Sequence, residues 1–203
     1  MKKIALLGFL LAVFVAAGRA QESRQDVSIS GIGLIEPFRA SQTDVYVHSN
    51  YALGAMASYR FMLTPSAALE ANYGITYKNT ITYDVNPGIT NVGTRTQEMS
   101  GAFVKSFVFK KWNPFIEAGP AAFIFLPIRN TSTNGMYALD VKRQTTVGAV
   151  YGAGFAREIS PSFDIRCEYR GMVTPVPSFS VSQLKANKWY NIYSPTIGVA
   201  YHF

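Results

Sequence analysis

The 203-residue chain carries 19 lysines and arginines against 12 acidic residues, a formal net charge of +7, and 48% of its residues are hydrophobic. A single cysteine excludes an internal disulfide framework, two histidines leave no metal-binding cluster, and no basic run points to nucleic acid. The length fits one domain.

The first twenty residues, MKKIALLGFLLAVFVAAGRA, combine two lysines, an apolar run from Ile4 to Ala17, and small residues at Gly18 and Ala20 before Gln21. That is the pattern of a secretory signal with its cleavage site. The run is shorter than the roughly 20 residues of a spanning helix, so a retained anchor is the poorer reading. The expectation is a removed segment at 1–20 and a single domain at 21–203. Loss of Lys2, Lys3 and Arg19 lowers the net charge from +7 to +4.

Beyond that segment the apolar residues recur at every second position. Val27 to Ile35 reads as a short, glycine-rich strand. From Leu53 to Phe61, Leu53, Ala55, Ala57, Tyr59 and Phe61 alternate with Gly54, Met56, Ser58 and Arg60. Leu69 to Tyr77 repeats the pattern against Glu70, Asn72, Gly74 and Thr76. Glu98 to Phe107 places Met99, Phe103 and Phe107 opposite Glu98, Ser100, Ala102 and Ser106. In Phe115 to Leu126, Phe123 and Phe125 share a side with Glu117 and Gly119, which leaves the phase of this fifth strand open.

Val147 to Phe155 sets Val147, Ala149, Tyr151, Ala153 and Phe155 against Gly148, Val150, Gly152 and Gly154. Phe163 to Val173 sets Phe163, Ile165, Cys167, Tyr169 and Val173 against Asp164, Arg166, Glu168, Arg170 and Met172. The chain closes on a strand from about Tyr193 to Phe203. Period-two alternation of this kind marks strands with one apolar face. Pro120 and Pro195 are awkward inside strands, because each removes a ladder hydrogen bond.

Short turns are expected near Leu63–Ala67, Val108–Asn113 and Glu158–Ser162. Long polar loops are expected at Arg39–Asn50, Asn79–Thr94, Pro127–Thr145 and Thr174–Trp189. Eight strands with tight turns at one end and long loops at the other describe an all-β, antiparallel up-and-down barrel. The strand lengths suit a tilted membrane span.

The face opposite the apolar one decides between a soluble and a membrane barrel. It is rich in Gly, Ala and Ser, residues that suit a crowded eight-stranded lumen better than a solvated exterior. Aromatic residues cluster near both strand ends, as interfacial girdles would. The expected fold is an eight-stranded transmembrane β-barrel with its apolar face toward lipid. Its lumen would hold an ionic network of Arg60, Glu70, Glu98, Glu117, Arg166, Glu168 and Arg170, with Glu168 flanked by Arg166 and Arg170.

The signal segment, the eight amphipathic strands and the terminal Phe203 resemble the small bacterial outer-membrane barrels, the class of the OmpA membrane domain, OmpX and OmpW. In that class the last strand ends in Phe after alternating apolar residues, and the barrel assembly machinery reads it. Ile197, Val199, Tyr201 and Phe203 match that signal position by position. The resemblance implies a bacterial outer-membrane location, contact with lipopolysaccharide and the assembly machinery, no cofactor, and a monomer.

For activity the resemblance leaves three readings. A structural or surface-interaction barrel with a plugged lumen ranks first. Its long loops offer Arg129, Lys142, Arg143, Lys185 and Lys188 to lipopolysaccharide phosphates. A passive conduit for small apolar molecules ranks second, with Met56, Phe123, Phe125, Val150 and Met172 as apolar lumen surface. A lipid A-modifying enzyme ranks third. Such deacylases place His and Ser two positions apart on a strand, whereas His48 and Ser49 are adjacent and His202 neighbours no nucleophile in sequence. No catalytic residue is therefore expected. The glycine pairs Gly31/Gly33 and Gly152/Gly154 lack the following helix of a dinucleotide site. Cys167 falls on the lipid-facing side and reads as a small hydrophobe.

Overall fold

The computed structural model describes residues 25–36, 40–42, 45–85, 88–109, 112–132, 140–186 and 188–203. The segment read as a signal, 1–20, lies outside the described residues. Among the described residues eleven strands follow in order: β1 (Gln25–Leu34), β2 (Ala40–Gln42), β3 (Val45–Ser49), β4 (Ala52–Thr64), β5 (Ala67–Tyr77), β6 (Asn79–Val85), β7 (Gly88–Ser106), β8 (Trp112–Ser132), β9 (Gln144–Ser160), β10 (Phe163–Pro175) and β11 (Trp189–His202). One sheet runs β2-β3-β6-β7-β5-β4-β1-β11-β10-β9-β8, and β7 also pairs with β8. That second pairing closes a ring of eight antiparallel strands. The strands β2, β3 and β6 stand outside the ring, where they extend the sheet beyond the barrel wall on β7.

Closure pairs every wall strand on both sides, as a bilayer without water requires of backbone N–H and C=O groups, and the outer face is apolar. Along β4 the burial alternates strictly from Met56 to Phe61: Met56, Ser58 and Arg60 are buried, and Ala57, Tyr59 and Phe61 are exposed. Outward residues such as Ile29 (71% exposed), Leu53 (78%) and Val147 (69%) would be untenable on a solvated wall. They form the lipid-facing band of a membrane barrel. The phase left open in the fifth strand is settled in β8: Phe115, Glu117, Ala121, Phe123 and Phe125 all point inward. Ile116, Ala118 and Pro120 point outward.

Both mid-strand prolines sit beside a gap in one ladder. The β7–β8 pairing runs to Ser100↔Ala121 and resumes at Phe103↔Ala118, skipping Pro120 on its β7 side. The β1–β11 pairing ends at Ile32↔Thr196 and resumes at Ile35↔Tyr193, skipping Pro195. Each proline keeps its register with the opposite neighbour, Ala149 and Tyr169 respectively. The lumen is tight enough that Gly198 has no space for a Cβ, which would collide with the Ser30 hydroxyl across the closing seam.

Two of the four expected long loops are largely strand. The stretch Asn79–Thr94 forms β6 and the upper part of β7, paired from Asn79↔Thr94 to Val85↔Gly88. The stretch Arg39–Asn50 contains β2 and β3. Thr, Ile, Tyr and Val favour extended backbone, and above the bilayer both faces of a strand can be polar, so composition alone reads as loop. The fourth loop folds inward. Its Phe179, Leu184 and Ala186 are buried against Tyr83, Val92, Phe123, Phe125, Val150 and Ile192. It caps the barrel at the end opposite the short turns, which is the extracellular end in this architecture.

Candidate functional site

The lumen has three levels, each set by inward positions of adjacent strands. At mid-height the Arg170 guanidinium, contributed by β10, is completely buried. Its Nε donates to Glu117 Oε1 at 2.9 Å, its Nη2 to Glu98 Oε1 at 2.9 Å, and its Nη1 to Glu98 Oε2 at 3.3 Å. Ser100 Oγ donates to Glu98 Oε1 at 2.7 Å and accepts from Arg170 Nη2 at 3.3 Å. Met56 Sδ accepts from Nη1 at 2.8 Å. Glu168 Oε1 lies 3.4 Å from Nε but makes no hydrogen bond. Charge-assisted, bidentate contacts of this kind hold a buried guanidinium in place. Three carboxylates surround one cation.

The periplasmic level has two separate pairs. Arg60 binds Glu70, its direct cross-strand neighbour, at 2.5 Å and lies over the Phe115 ring at 4.9 Å. Arg166 Nη2 donates to Asp26 Oδ2 at 2.6 Å. On the closing seam His202 faces Asp26 in register, and its Nε2 lies 2.9 Å from Asp164 Oδ2. Asp26, Arg60, Asp164, Arg166 and His202 line a pocket of about 90 Å³ together with Ser106 and Asn113. Arg166 thus pairs with Asp26, and of the two arginines that flank Glu168 on its strand face only Arg170 lies beside it. An extended chain puts successive inward side chains more than 6 Å apart along the strand, so each reaches across the lumen instead.

The extracellular level is apolar and closed by the cap. Gln144 Oε1 accepts the backbone N–H groups of Ser178 and Phe179 at 2.8 and 2.6 Å. Tyr83 OH donates to Pro177 O at 2.5 Å. Phe179 and Ser180 have φ of 52° and 63°, left-handed values that non-glycine residues adopt only when their surroundings impose them. Beneath this cap, past the end of β1 and outside the membrane span, Glu36 is buried and accepts a hydrogen bond from Asn79 Nδ2 at 2.8 Å. Ser49 Oγ donates to Asn79 Oδ1 at 2.5 Å. Burial pushes the Glu36 carboxyl up to about 7, against the opposing effect of its hydrogen bonds. Burial and the nearby Glu36 also raise the Tyr83 hydroxyl well above its ordinary value.

All seven residues of the expected ionic network point into the lumen, divided among the Arg170 cluster, the Arg60–Glu70 pair and the Arg166–Asp26 pair. Asp26 and Glu36 belong to the buried charge and were not anticipated, and Asp164, on the inner face that the alternation expects, joins them. The expected assembly residues Ile197, Val199 and Tyr201 are exposed on the outer face of β11, and Phe203 stacks on Tyr201 at 6.1 Å. Among the expected lipopolysaccharide contacts, Arg129 is exposed near the top of β8, and Lys142, Arg143, Lys185 and Lys188 are exposed around the cap. Lys142 lies 3.5 Å from Asp140 and donates its backbone N–H to Phe179 O. Cys167 is partly exposed on the outer face. The side chain of His48 lies outside the described residues. Among the described residues no group of three His, Cys, Asp or Glu side chains is placed to hold a metal ion.

The barrel has structural relatives at low sequence identity. It superposes on Neisserial surface protein A with a TM-score of 0.57 and 13% identity, over 89% of this chain and 98% of that one. With OprG from Pseudomonas aeruginosa the TM-score is 0.60 at 9% identity, covering 91% and 98%. With the N-terminal β-barrel domain of OprF from the same organism it is 0.51 at 18% identity, covering 90% and 100%. No relative among curated protein sequences matches the chain. The profile described as outer membrane protein beta-barrel domain matches residues 5–203. With its closed ring, lipid-facing band and capped mouth, the chain therefore belongs to the outer membrane protein beta-barrel domain family and resides in the bacterial outer membrane.

Proposed function

We propose that the protein is a closed structural barrel that presents its extracellular surface to lipopolysaccharide and outside partners, and that it acts as a monomer without catalytic chemistry. The observation that carries this reading is Arg170, which is fully buried at mid-lumen with Glu98, Glu117 and Glu168 around it. A buried ion cluster so fixed leaves no continuous water path, and the cap adds an apolar layer above it. Segment 1–20 acts as the export signal and is removed. The terminal residues Ile197, Val199, Tyr201 and Phe203 present the strand recognised by the assembly machinery.

The conduit remains the second reading because the upper lumen is apolar: Phe123, Phe125, Val150 and Met172 are all buried there beneath the cap. Planar-bilayer conductance and liposome uptake on the refolded barrel separate the two. A closed barrel gives no steady conductance and no uptake of small apolar solutes. Steady conductance or apolar uptake would favour the conduit. Hydrolysis of lipid A ester or amide bonds by the refolded protein would promote the enzyme instead.

A further inference from the structure

Three cations, Lys78 between β5 and β6, Arg95 on β7 and Arg129 on β8, occupy neighbouring register positions on the outer wall near the extracellular aromatic residues. Lys78 and Arg95 flank one ladder pair, Asn79↔Thr94, and the next pair, Thr80↔Gly93, continues to Arg129 on β8 through Gly93↔Arg129. A Cβ at Gly93 would come within 3.7 Å of the Arg129 Cβ, so Arg129 projects from the same face as Gly93. Arg95, two residues along β7, shares that face: its guanidinium lies 5.1 Å over the ring of Tyr77, which is 61% exposed on the outside of the barrel. Lys78 is exposed at the joint between β5 and β6 and has φ of 53°.

The surroundings of this cluster are one-sided. Among the described residues none of the three cations is in an ion pair. Asp84 is the acid on the same outer face of β6, four residues beyond Thr80 and thus about 13 Å up the strand. Toward the bilayer the cations border exposed apolar surface, with Ile128 at 58% beside Arg129 and the Tyr77 ring below Arg95. Cations directly above apolar wall match an amphiphilic anion whose phosphate and acyl chains belong to one molecule. A free phosphate would meet only the upper half.

We propose that Lys78, Arg95 and Arg129 form a binding site on the barrel wall for the phosphate groups of lipid A in the outer leaflet, with Tyr77 and Ile128 against its acyl chains. The inference rests on the reading of lipopolysaccharide as the barrel's partner and moves the main contact from the loops around the cap to the wall. Each cation near an anionic leaflet contributes about a fivefold factor, so removing all three lowers affinity on the order of 100-fold at low salt. Salt screening reduces the difference.

The test is retention of bisphosphoryl lipid A by the full-length barrel refolded in phosphatidylcholine vesicles that contain it, measured by mass spectrometry after detergent washing. Lys78→Gln/Arg95→Gln/Arg129→Gln should lose retention on the order of 100-fold, while Arg95→Lys/Arg129→Lys, which keeps the charge and serves as the folding control, should retain most of it. A loop variant, Lys142→Gln/Arg143→Gln/Lys185→Gln/Lys188→Gln, should change it little. Loss in the loop variant and not in the wall variant would overturn the wall site alone. Absence of retention by the unmodified barrel would overturn the partner reading with it. Displacement by inorganic phosphate as effective as by lipid A would overturn the assignment to a lipid.

Discussion

Tyr151 lays its ring across Gly171, the residue directly opposite it on the neighbouring strand, so that a Cβ at Gly171 would overlap the tyrosine. Gly171 is buried on an otherwise exposed outer face because the ring covers it. This is an aromatic rescue of a strand glycine. Tyr151→Ala should lower unfolding stability in lipid vesicles by about 1 kcal/mol. Gly171→Ala should cost about 1–3 kcal/mol when Tyr151 is present, yet be neutral or favourable by up to about 1 kcal/mol once Tyr151 is alanine. Urea titrations followed by tryptophan fluorescence measure the cycle; purely additive costs would show that ring and glycine do not interact.

At mid-lumen the balance of charge predicts unequal consequences for the members of one cluster. Arg170→Met leaves Glu98, Glu117 and Glu168 facing one another and should destabilise the barrel by about 3–5 kcal/mol. Glu168 makes the longest of the contacts and no hydrogen bond to the guanidinium. With two carboxylates still on Arg170, Glu168→Gln should stay within about 1 kcal/mol of the parent or exceed it in stability. The same unfolding titrations decide: a Glu168→Gln loss as large as that of Arg170→Met would mean that Glu168 is an essential partner.

These residues also show where sequence reading works and where it stops. The inward direction of Arg60, Glu70, Glu98, Glu117, Arg166, Glu168 and Arg170 follows from period-two alternation, because only one face of a barrel strand meets lipid. Their partners do not follow, because pairing is made across the lumen between strands distant in sequence, as for Arg166 and Asp26. Asp26 escaped notice because it lies one residue before the first clear apolar position of a glycine-rich strand. Asp164 sits on the expected inner face, but its partner His202 becomes visible only when β10 and β11 are side by side. The inward fold of the cap leaves no periodic trace, since Phe179, Leu184 and Ala186 reach the lumen from irregular backbone. Lys78 and Arg95 went unnoticed because they border the stretch Asn79–Thr94, which reads as loop and forms paired strand.

Glu36 gives the capped mouth a pH dependence whose sign is fixed. Its carboxyl is raised from an ordinary value of 4.5 to about 7 under the cap. Between those values the capped state binds the proton more tightly than an open, solvated state. Cap stability is therefore greatest below about pH 4.5, falls as pH rises through the window, and levels off above about 7. The opening equilibrium should shift on the order of 100-fold across the window, about 3 kcal/mol. Hydrogen exchange at the Ser178 and Phe179 amides, corrected for intrinsic exchange, reports opening because both bond to Gln144. Glu36→Gln should flatten the profile, and an unchanged profile in that variant would assign the dependence to another group.

The last strand carries a prediction about assembly that its fold contacts alone do not make. Phe203 donates its backbone N–H to Gln25 O at 3.0 Å and stacks its ring on Tyr201, while Ile197 and Val199 continue the same outer row. Removing Phe203 deletes one hydrogen bond and one ring contact from a seam that retains seven paired residues between β1 and β11. The cost to the finished barrel should be only about 1–2 kcal/mol. If the terminal row is also the signal read during biogenesis, the loss in cells must be far larger than that figure implies. Deletion of Phe203 should therefore sharply reduce heat-modifiable barrel in the outer membrane while the purified chain still refolds in vesicles with slightly lowered stability. Phe203→Tyr, which keeps the aromatic terminus, should restore most of the assembled level. Equal deficits in cells and in vesicles would reduce Phe203 to an ordinary packing residue, and full assembly without it would remove the signal from this strand.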